Sequence, residues 1–365
     1  MVTKSQTENW LKAWGHDWLL EGCANCNGVF VLSPDKVSQR CPFCGQSTLE
    51  QMNPSDDRPT YTQPAELMLP FQAKESQLQS KMAKFVKSIW LAPSDLSEAT
   101  LQSRLQPLYL PMWLVDAQVQ GQWQAEVGFD YEIVSHQEKY RNNQWESQRV
   151  QEGRVRWEPR LGRLNRAYDN QAAPALEEQQ QVEAQIGRFD LDVQKPFFNP
   201  DGLAGATVRL PNRPPEDAWS EAMVGLKVSV LQDCRRASKA DRIRGFKWSP
   251  SFANQHWTQL LLPVYTSYYL DDNEQAQIVL LHGQTGKLHA VRRASMKRAR
   301  RLALIILAVT AVLLLATFVL LGLGFTLDDA ALPWAGMLGV FTVGVGGTAV
   351  LPLAYVWYVN NLRSN

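Results

Sequence analysis

Four of the five cysteines fall into two Cys-x-x-Cys pairs, Cys23-Ala24-Asn25-Cys26 and Cys41-Pro42-Phe43-Cys44, with fourteen residues between them. The fifth, Cys234, stands alone. Thiolates at this spacing chelate in twos from tight knuckles, and two knuckles supply the four tetrahedral ligands that zinc prefers. The spacer is just short of the roughly 15–20 residues usual for such sites. It still holds a short hairpin, with residues 28–32 as a strand and Ser33-Pro34-Asp35 as a turn, and Gly45 suits the bend after the second knuckle. Cys23, Cys26, Cys41 and Cys44 are therefore read as a structural zinc site. Four thiolates close the coordination sphere, so the ion contributes folding energy and offers no open position to a substrate. Two redox dithiols are the competing reading, but no βαβ pattern surrounds them. His16 is close enough in sequence to ligate, yet reads as a surface histidine. Thiols kept as ligands imply a reducing compartment.

No other constellation points to catalysis. His136, His256, His282 and His289 are scattered, with no serine, cysteine or carboxylate at a nucleophile spacing. Gly283-Gln284-Thr285-Gly286 lacks the Lys-Ser/Thr ending of a phosphate loop. Asp271-Asp272 reads as a solvated turn. The expectation is a protein that is not an enzyme. A net charge of +1 over 365 residues argues against a polyanion binder as a whole. Within the ribbon only Lys36 and Arg40 are basic, a poor footprint for a phosphate backbone. Nucleic acid is thus an unlikely partner, and the basic run 235–247 reads equally as the solvated end of a helix.

The elements around the cysteines give the domain plan. Residues 1–49 read as a zinc ribbon with a short extension and 50–64 as a polar linker. Residues 65–291 read as an α+β domain with antiparallel strands. In it, Leu78, Met82, Phe85, Val86, Ile89 and Trp90 share one helical face, stopped by Pro93. A second short helix is expected over 95–105. Strand alternation runs through Leu108–Val119, Trp123–Val127 and Val155–Trp157. The glutamine-rich stretches 136–152 and 177–185 are read as exposed ends or a short helix. A long helix is predicted over 214–241, with Pro214 at its start, Glu216 and Asp217 in its first turn and Arg235 and Arg236 near its end. Trp219, Ala222, Met223, Leu226 and Val230 form its apolar face, and Cys234 extends it as a core thiol. Strands are predicted over 259–270 and 275–291, the second bent at Gly283–Gly286.

The C-terminal part is uncharged over 302–327 and again over 330–359, and about 20 apolar residues suffice to cross a bilayer. The plan is a basic segment 292–301, a first span 302–327, a loop 328–332 carrying Asp328 and Asp329, a second span 333–359 and a tail 360–365. Arg292, Arg293, Lys297, Arg298, Arg300 and Arg301 precede the first span, which predicts both termini on the cytoplasmic side. The start of the chain has no apolar stretch of a signal peptide, so export by that route is not expected. The same cluster can hold anionic lipid. Small residues in the second span, Ala335-x-x-x-Gly339 and Gly344-x-x-x-Thr348, allow close helix packing. No ionisable residue lies in either span, which argues against transport.

Three segments carry a resemblance. Leu108-Tyr-Leu-Pro-Met-Trp-Leu-Val-Asp116, Gly202-Leu-Ala-Gly205 ahead of the Trp219 helix, and Leu261-Leu-Pro-Val264 with Gly283-Gln-Thr-Gly-Lys287 are together similar to bacterial membrane-anchored TFIIB-type zinc-ribbon proteins. The likeness spans nearly the whole chain in the order ribbon, domain, hairpin. It departs at Tyr265, where tryptophan is usual, and at His282, where asparagine is usual. The resemblance implies a bacterial inner-membrane protein that recruits SPFH (flotillin-like) or phage-shock-protein-A-like partners under envelope stress. The expectation is a non-enzymatic adaptor. The alternatives are a membrane-tethered nucleic-acid-binding protein, or an accessory subunit of a larger membrane complex.

Overall fold

In the computed structural model, Leu108–Val115 opens one of the longest strands in the molecule. The structure describes residues 14, 18–36, 39–52, 61–141, 143–203, 205–326 and 332–362. His16, Asp328 and Asp329 lie outside them, as does most of the segments read as the 50–64 linker and the 328–332 loop. The strands are β1 (Leu19–Cys23), β2 (Val29–Leu32), β3 (Leu49–Gln51), β4 (Leu67–Met68), β5 (Gln106–Arg141), β6 (Gln144–Pro174), β7 (Thr207–Arg209), β8 (Arg242–Leu270), β9 (Ala276–His282) and β10 (Leu288–Ala290). The helices are α1 (Glu75–Lys87), α2 (Glu98–Ser103), α3 (Gln179–Ile186), α4 (Pro215–Ala237), α5 (Met296–Thr326), α6 (Leu332–Gly347) and α7 (Val350–Leu362). The class is mixed α+β. All ten strands join one sheet in the order β10-β9-β8-β5-β7-β2-β1-β3, with β4 on β8 and β6 on β5.

The β5–β8 ladder is the spine. It runs antiparallel from Gln106 opposite Thr266 to Gly128 opposite Arg242. Its first half is apolar on both faces, since Leu108, Leu110 and Leu114 enter one core and Tyr109, Trp113 and Val115 enter others. Its second half alternates. Ala117 and Val119 pack with Tyr168 under Leu226, Val230 and Cys234 of α4, as the helix pattern requires. Cys234 is a core thiol, raised to about 11 chiefly by burial. Beyond Gly128, β8 ends, and β5 continues with β6 alone to a turn at Arg141 and Gln144. At about 3.3 Å per residue this two-stranded arm is roughly 45 Å long.

Several sequence expectations change. Residues 136–141 and 144–152, expected as exposed ends or a short helix, are largely exposed and are strand, because they form the arm's tip. The strand expected over 259–270 starts at Arg242, and the long helix stops at Ala237, so the basic run 235–247 is divided between two elements. Arg236, Arg242 and Arg244 are paired with Asp233, Asp130 and Glu126. The helix expected over 95–105 covers only Glu98–Ser103, capped by Ser97, because Asp95 instead binds Arg104 and the Leu270 amide. Helix α1 ends at Lys87, so Trp90 lies beyond it and is exposed. Tyr265 packs its ring against Phe71, with centroids 4.6 Å apart.

Helices α5 and α6–α7 form an apolar hairpin with two segments long and apolar enough to cross a membrane, Met296–Gly322 and Pro333–Asn361. Ala335 and Thr342 are buried, and a Cβ at Gly339 or Gly346 would meet Thr317 Cγ2 at 3.6 Å or Thr310 Cγ2 at 3.1 Å, so these residues face the other helix, whereas Gly344 and Thr348 of the second expected motif are exposed. The second segment is interrupted at Thr348-Ala349. Pro352 explains this, since its ring crowds the carbonyl four residues earlier and it donates no hydrogen bond. There Thr348, Ala349 and Leu351 donate to carbonyls three residues back.

The hairpin is packed into the α+β domain. Val356 and Val359 share a core with Leu78, Met82, Phe85, Tyr269 and Leu281. The Asn360 side chain accepts from the Ala294 amide at 2.9 Å and donates to the Ala294 carbonyl at 3.0 Å, and Arg293 Nη1 donates to the Asn360 carbonyl at 2.9 Å. Asp272 accepts from the Lys297 amide at 2.9 Å, at the start of α5. It is thus a helix-terminal acceptor in addition to a turn residue. Replacing Asn360 with alanine strands both Ala294 groups in a buried position. The expected cost is about 1–3 kcal/mol, seen as a lower thermal midpoint of the full chain in detergent, with Asn361→Ala as the neutral control.

Candidate metal centre

The first knuckle sits at the turn between β1 and β2. Cys23 ends β1, its amide donates to the Gly28 carbonyl at 2.9 Å, and the Cys26 amide donates to Cys23 Sγ at 3.5 Å. Asn27, at φ 52°, makes the sharp return. The second knuckle lies inside a small loop closed by an Arg40–Thr48 bridge and by the Cys41 amide donating to the Ser47 carbonyl at 2.8 Å. Gly45 is required there twice over: its φ is +69°, and a Cβ would lie 2.6 Å from Ile278 Cδ1. Arg40 Nη1 then donates to the Gly45 carbonyl at 2.8 Å.

These turns bring Cys23, Cys26, Cys41 and Cys44 together with all four sulfurs within 4.8 Å of one another. All are thiols; none is in a disulfide. Cys23 Sγ is 3.5 Å from Cys44 Sγ, and Cys26 Sγ is 3.9 Å from Cys41 Sγ. A tetrahedral ion with metal–sulfur bonds of about 2.3 Å would set sulfur–sulfur edges of about 3.8 Å, so the donor set fits a thiolate-bound ion. Cys23 and Cys41 are buried, and Cys26 and Cys44 half-buried. Contacts among the thiols, that from Cys26 foremost, pull Cys23 far below the ordinary thiol value. Contacts led by that from Cys23 push Cys41 far above it. Four sulfurs this close cannot all carry charge without a cation among them.

The site is fastened to the central sheet. β2 pairs with β7 through Phe30–Arg209 and Val31–Val208. Thr266 Oγ1 of β8 donates to the Pro42 carbonyl at 2.7 Å, and Gln46 Nε2 donates to the Ala276 carbonyl at 2.8 Å. Arg209 is wholly buried, its guanidinium 3.7 Å from the Phe43 ring centroid and its Nη2 donating to both Glu178 carboxylate oxygens at 3.1 Å. A buried guanidinium needs such a partner. Sequence reasoning missed Arg209, because a lone arginine in a three-residue strand carries no sign of burial.

The histidines do not join this site among the described residues. His282 is buried in the β9–β10 turn, where Nδ1 accepts from the Gln284 and Thr285 amides at 3.1 and 3.4 Å, Nε2 lies 3.2 Å from the Arg188 carbonyl and the ring stacks on Phe189 at 4.1 Å. Accepting from amides two and three residues on is also what an asparagine carbonyl does. Comparison with protein-family models, with curated proteins and with solved structures returns no match.

Two outcomes are expected. Elemental analysis of the purified chain returns about one thiolate-bound ion per chain, and Cys26→Ser or Cys44→Ser abolishes it and lowers the unfolding temperature, because metal binding is linked to folding. For His282, burial, reinforced by Lys287, holds the imidazole below its ordinary value of 6.5 against the pull of the Arg188 carbonyl. The unfolded chain then binds more protons, so this contribution is complete above pH 6.5 and declines as the pH falls below it. His282→Asn keeps the turn acceptor, costs about 1–2 kcal/mol at neutral pH, and flattens the acid dependence measured by denaturant titration.

Proposed function

We propose that this chain is a membrane-anchored adaptor with no catalytic activity, whose four cysteines hold structural zinc and whose α+β domain recruits a protein partner. Soft thiolates in a closed tetrahedron favour zinc and leave no coordination site for a substrate. The hairpin anchors the chain in a bacterial inner membrane, with both termini cytoplasmic on the strength of the arginines before the first span.

The observation that carries the reading is the β5–β6 arm. β8 ends at Leu270, and Asp272 binds the start of α5, so the hairpin lies at that end of the ladder. The arm leaves from the other end and reaches away from it. Its tip exposes Tyr140 and Trp145, ring centroids 5.3 Å apart, and Tyr131 and Val134 are exposed along it. A two-stranded ribbon alone is marginally stable in water. Exposed aromatics and open strand edges suit strand addition by a partner. The family resemblance makes SPFH (flotillin-like) or phage-shock-protein-A-like proteins the partners to look for.

Affinity purification of the full chain from detergent-solubilised membranes is expected to recover one of these classes. Replacing residues 129–156 with a short turn is expected to abolish recovery while metal content and membrane insertion persist. Recovery of neither class above background overturns the reading.

A further inference from the structure

The loop after α1 is apolar and lies against the membrane hairpin. Ile89 is buried beneath it, Trp90 is 51% exposed, and Leu91, Ala92 and Pro93 follow. The loop is held in place from two sides. The Trp90 amide donates to Tyr355 Oη at 3.2 Å, with the two rings 5.0 Å apart at 66°. The Ser295 amide donates to the Leu91 carbonyl at 2.7 Å. Leu91 has φ +56°, an angle that costs a leucine about 1–2 kcal/mol, so these contacts fix a conformation the chain would not otherwise keep.

The two helices give the depth of this loop. Asn360 is level with Ala294, where their hydrogen bonds join the two chain segments. At about 1.5 Å per residue, Tyr355 lies roughly 7 Å further into the hairpin, while Leu302, where the uncharged run begins, lies roughly 10 Å beyond Ser295. Trp90 therefore sits just above the start of the apolar region. Bilayer headgroup layers are about 5–8 Å thick, and tryptophan concentrates in them because its ring is apolar and its N–H polar. Arg298, Arg300 and Arg301 surround the first helix at this level, exposed and with no carboxylate partner among the described residues.

We infer that the Trp90–Leu91 loop is seated in the phospholipid headgroup layer beside the second span. The α+β domain then rests on the bilayer at a fixed attitude, with the neighbouring arginines placed to meet lipid phosphates. This rests on the reading of the hairpin as membrane-spanning.

The test uses the full chain in phosphatidylcholine–phosphatidylglycerol vesicles, carrying a fluorescent non-natural amino acid at position 90, 92, 145 or 319. Quenching by iodide from water is compared with quenching by lipid spin-labelled near its headgroup. Position 92 leaves Trp90 and its edge-to-face contact with Tyr355 intact. Positions 90 and 92 are expected to be quenched by the shallow lipid label and to be clearly less quenched by iodide than position 145, because interfacial aromatics sit at the headgroup level. Iodide quenching at 90 and 92 equal to that at 145 overturns the inference, and so does shielding from both quenchers, which would mean protein cover. Position 319, in the middle of the first span, separates the two readings. If it is reached by iodide, the membrane reading fails. If it is shielded while 90 and 92 are not, only the headgroup contact fails.

Discussion

The antiparallel ladder between β5 and β8 is the constraint on which the other parts depend. One ladder of backbone hydrogen bonds, with register shifts after Asp116 and Gln124, joins the hairpin end of the domain, the core beside the cysteines, the ledge under α4 and the root of the arm. Its two halves solve different problems. Near Leu108–Val115 both faces are covered, so the sequence is apolar throughout. Near Ala117–Val127 only the α4 face is covered, so apolar residues alternate with Gln118, Gln120, Gln122 and Gln124. Where α4 and β8 end, no third layer remains and the strand pair goes on alone.

The candidate metal centre is tied to this spine, although its four cysteines come from a short segment near the N-terminus. β7 stands between β5 and β2, so the ribbon strands extend the domain's own sheet. Cys23 and Cys41 share a core with Leu108, Leu110, Leu262 and Val264. Arg209 adds a polar tie, lying over Phe43 between the cysteines while Glu178 neutralises it. A change at the knuckles therefore reaches β7 and β8 through backbone bonds and packed rings, without a flexible joint in between.

The apolar hairpin is joined to the same body by a shared core and by the Asn360–Ala294 pair. The apolar surface that α5 and α6 leave exposed is extensive, including Leu304, Ile305, Val312, Phe318, Val340 and Phe341, and suits a lipid environment. The surface facing the other helix is built from small residues and threonines whose hydroxyls donate to their own helix. The apolar hairpin, the sheet and the arm are consequently held in one relative orientation, with the arm's tip at the far end from the hairpin.

The sequence by itself determined the elements whose signal is local. Two Cys-x-x-Cys knuckles name their four ligands, because chelation within each pair needs only a tight turn. Charge-free runs announce the apolar hairpin, and the stripe from Ala222 to Cys234 announces α4. What only the tertiary structure decided are the features set by distant neighbours. Residues 136–141 and 144–152 read as exposed ends or a short helix, and become strand because each half finds the other across a turn. Arg242–Trp257 joins β8 because β5 lies alongside. Arg209 is buried because Phe43 and Glu178 come from elsewhere to enclose it. Trp90 fits a helical apolar stripe by spacing, yet is set outward by the early end of α1 and the contact with Tyr355. Period and spacing report which face a residue prefers. Which partner covers that face, or leaves it open, depends on contacts between residues far apart in the chain.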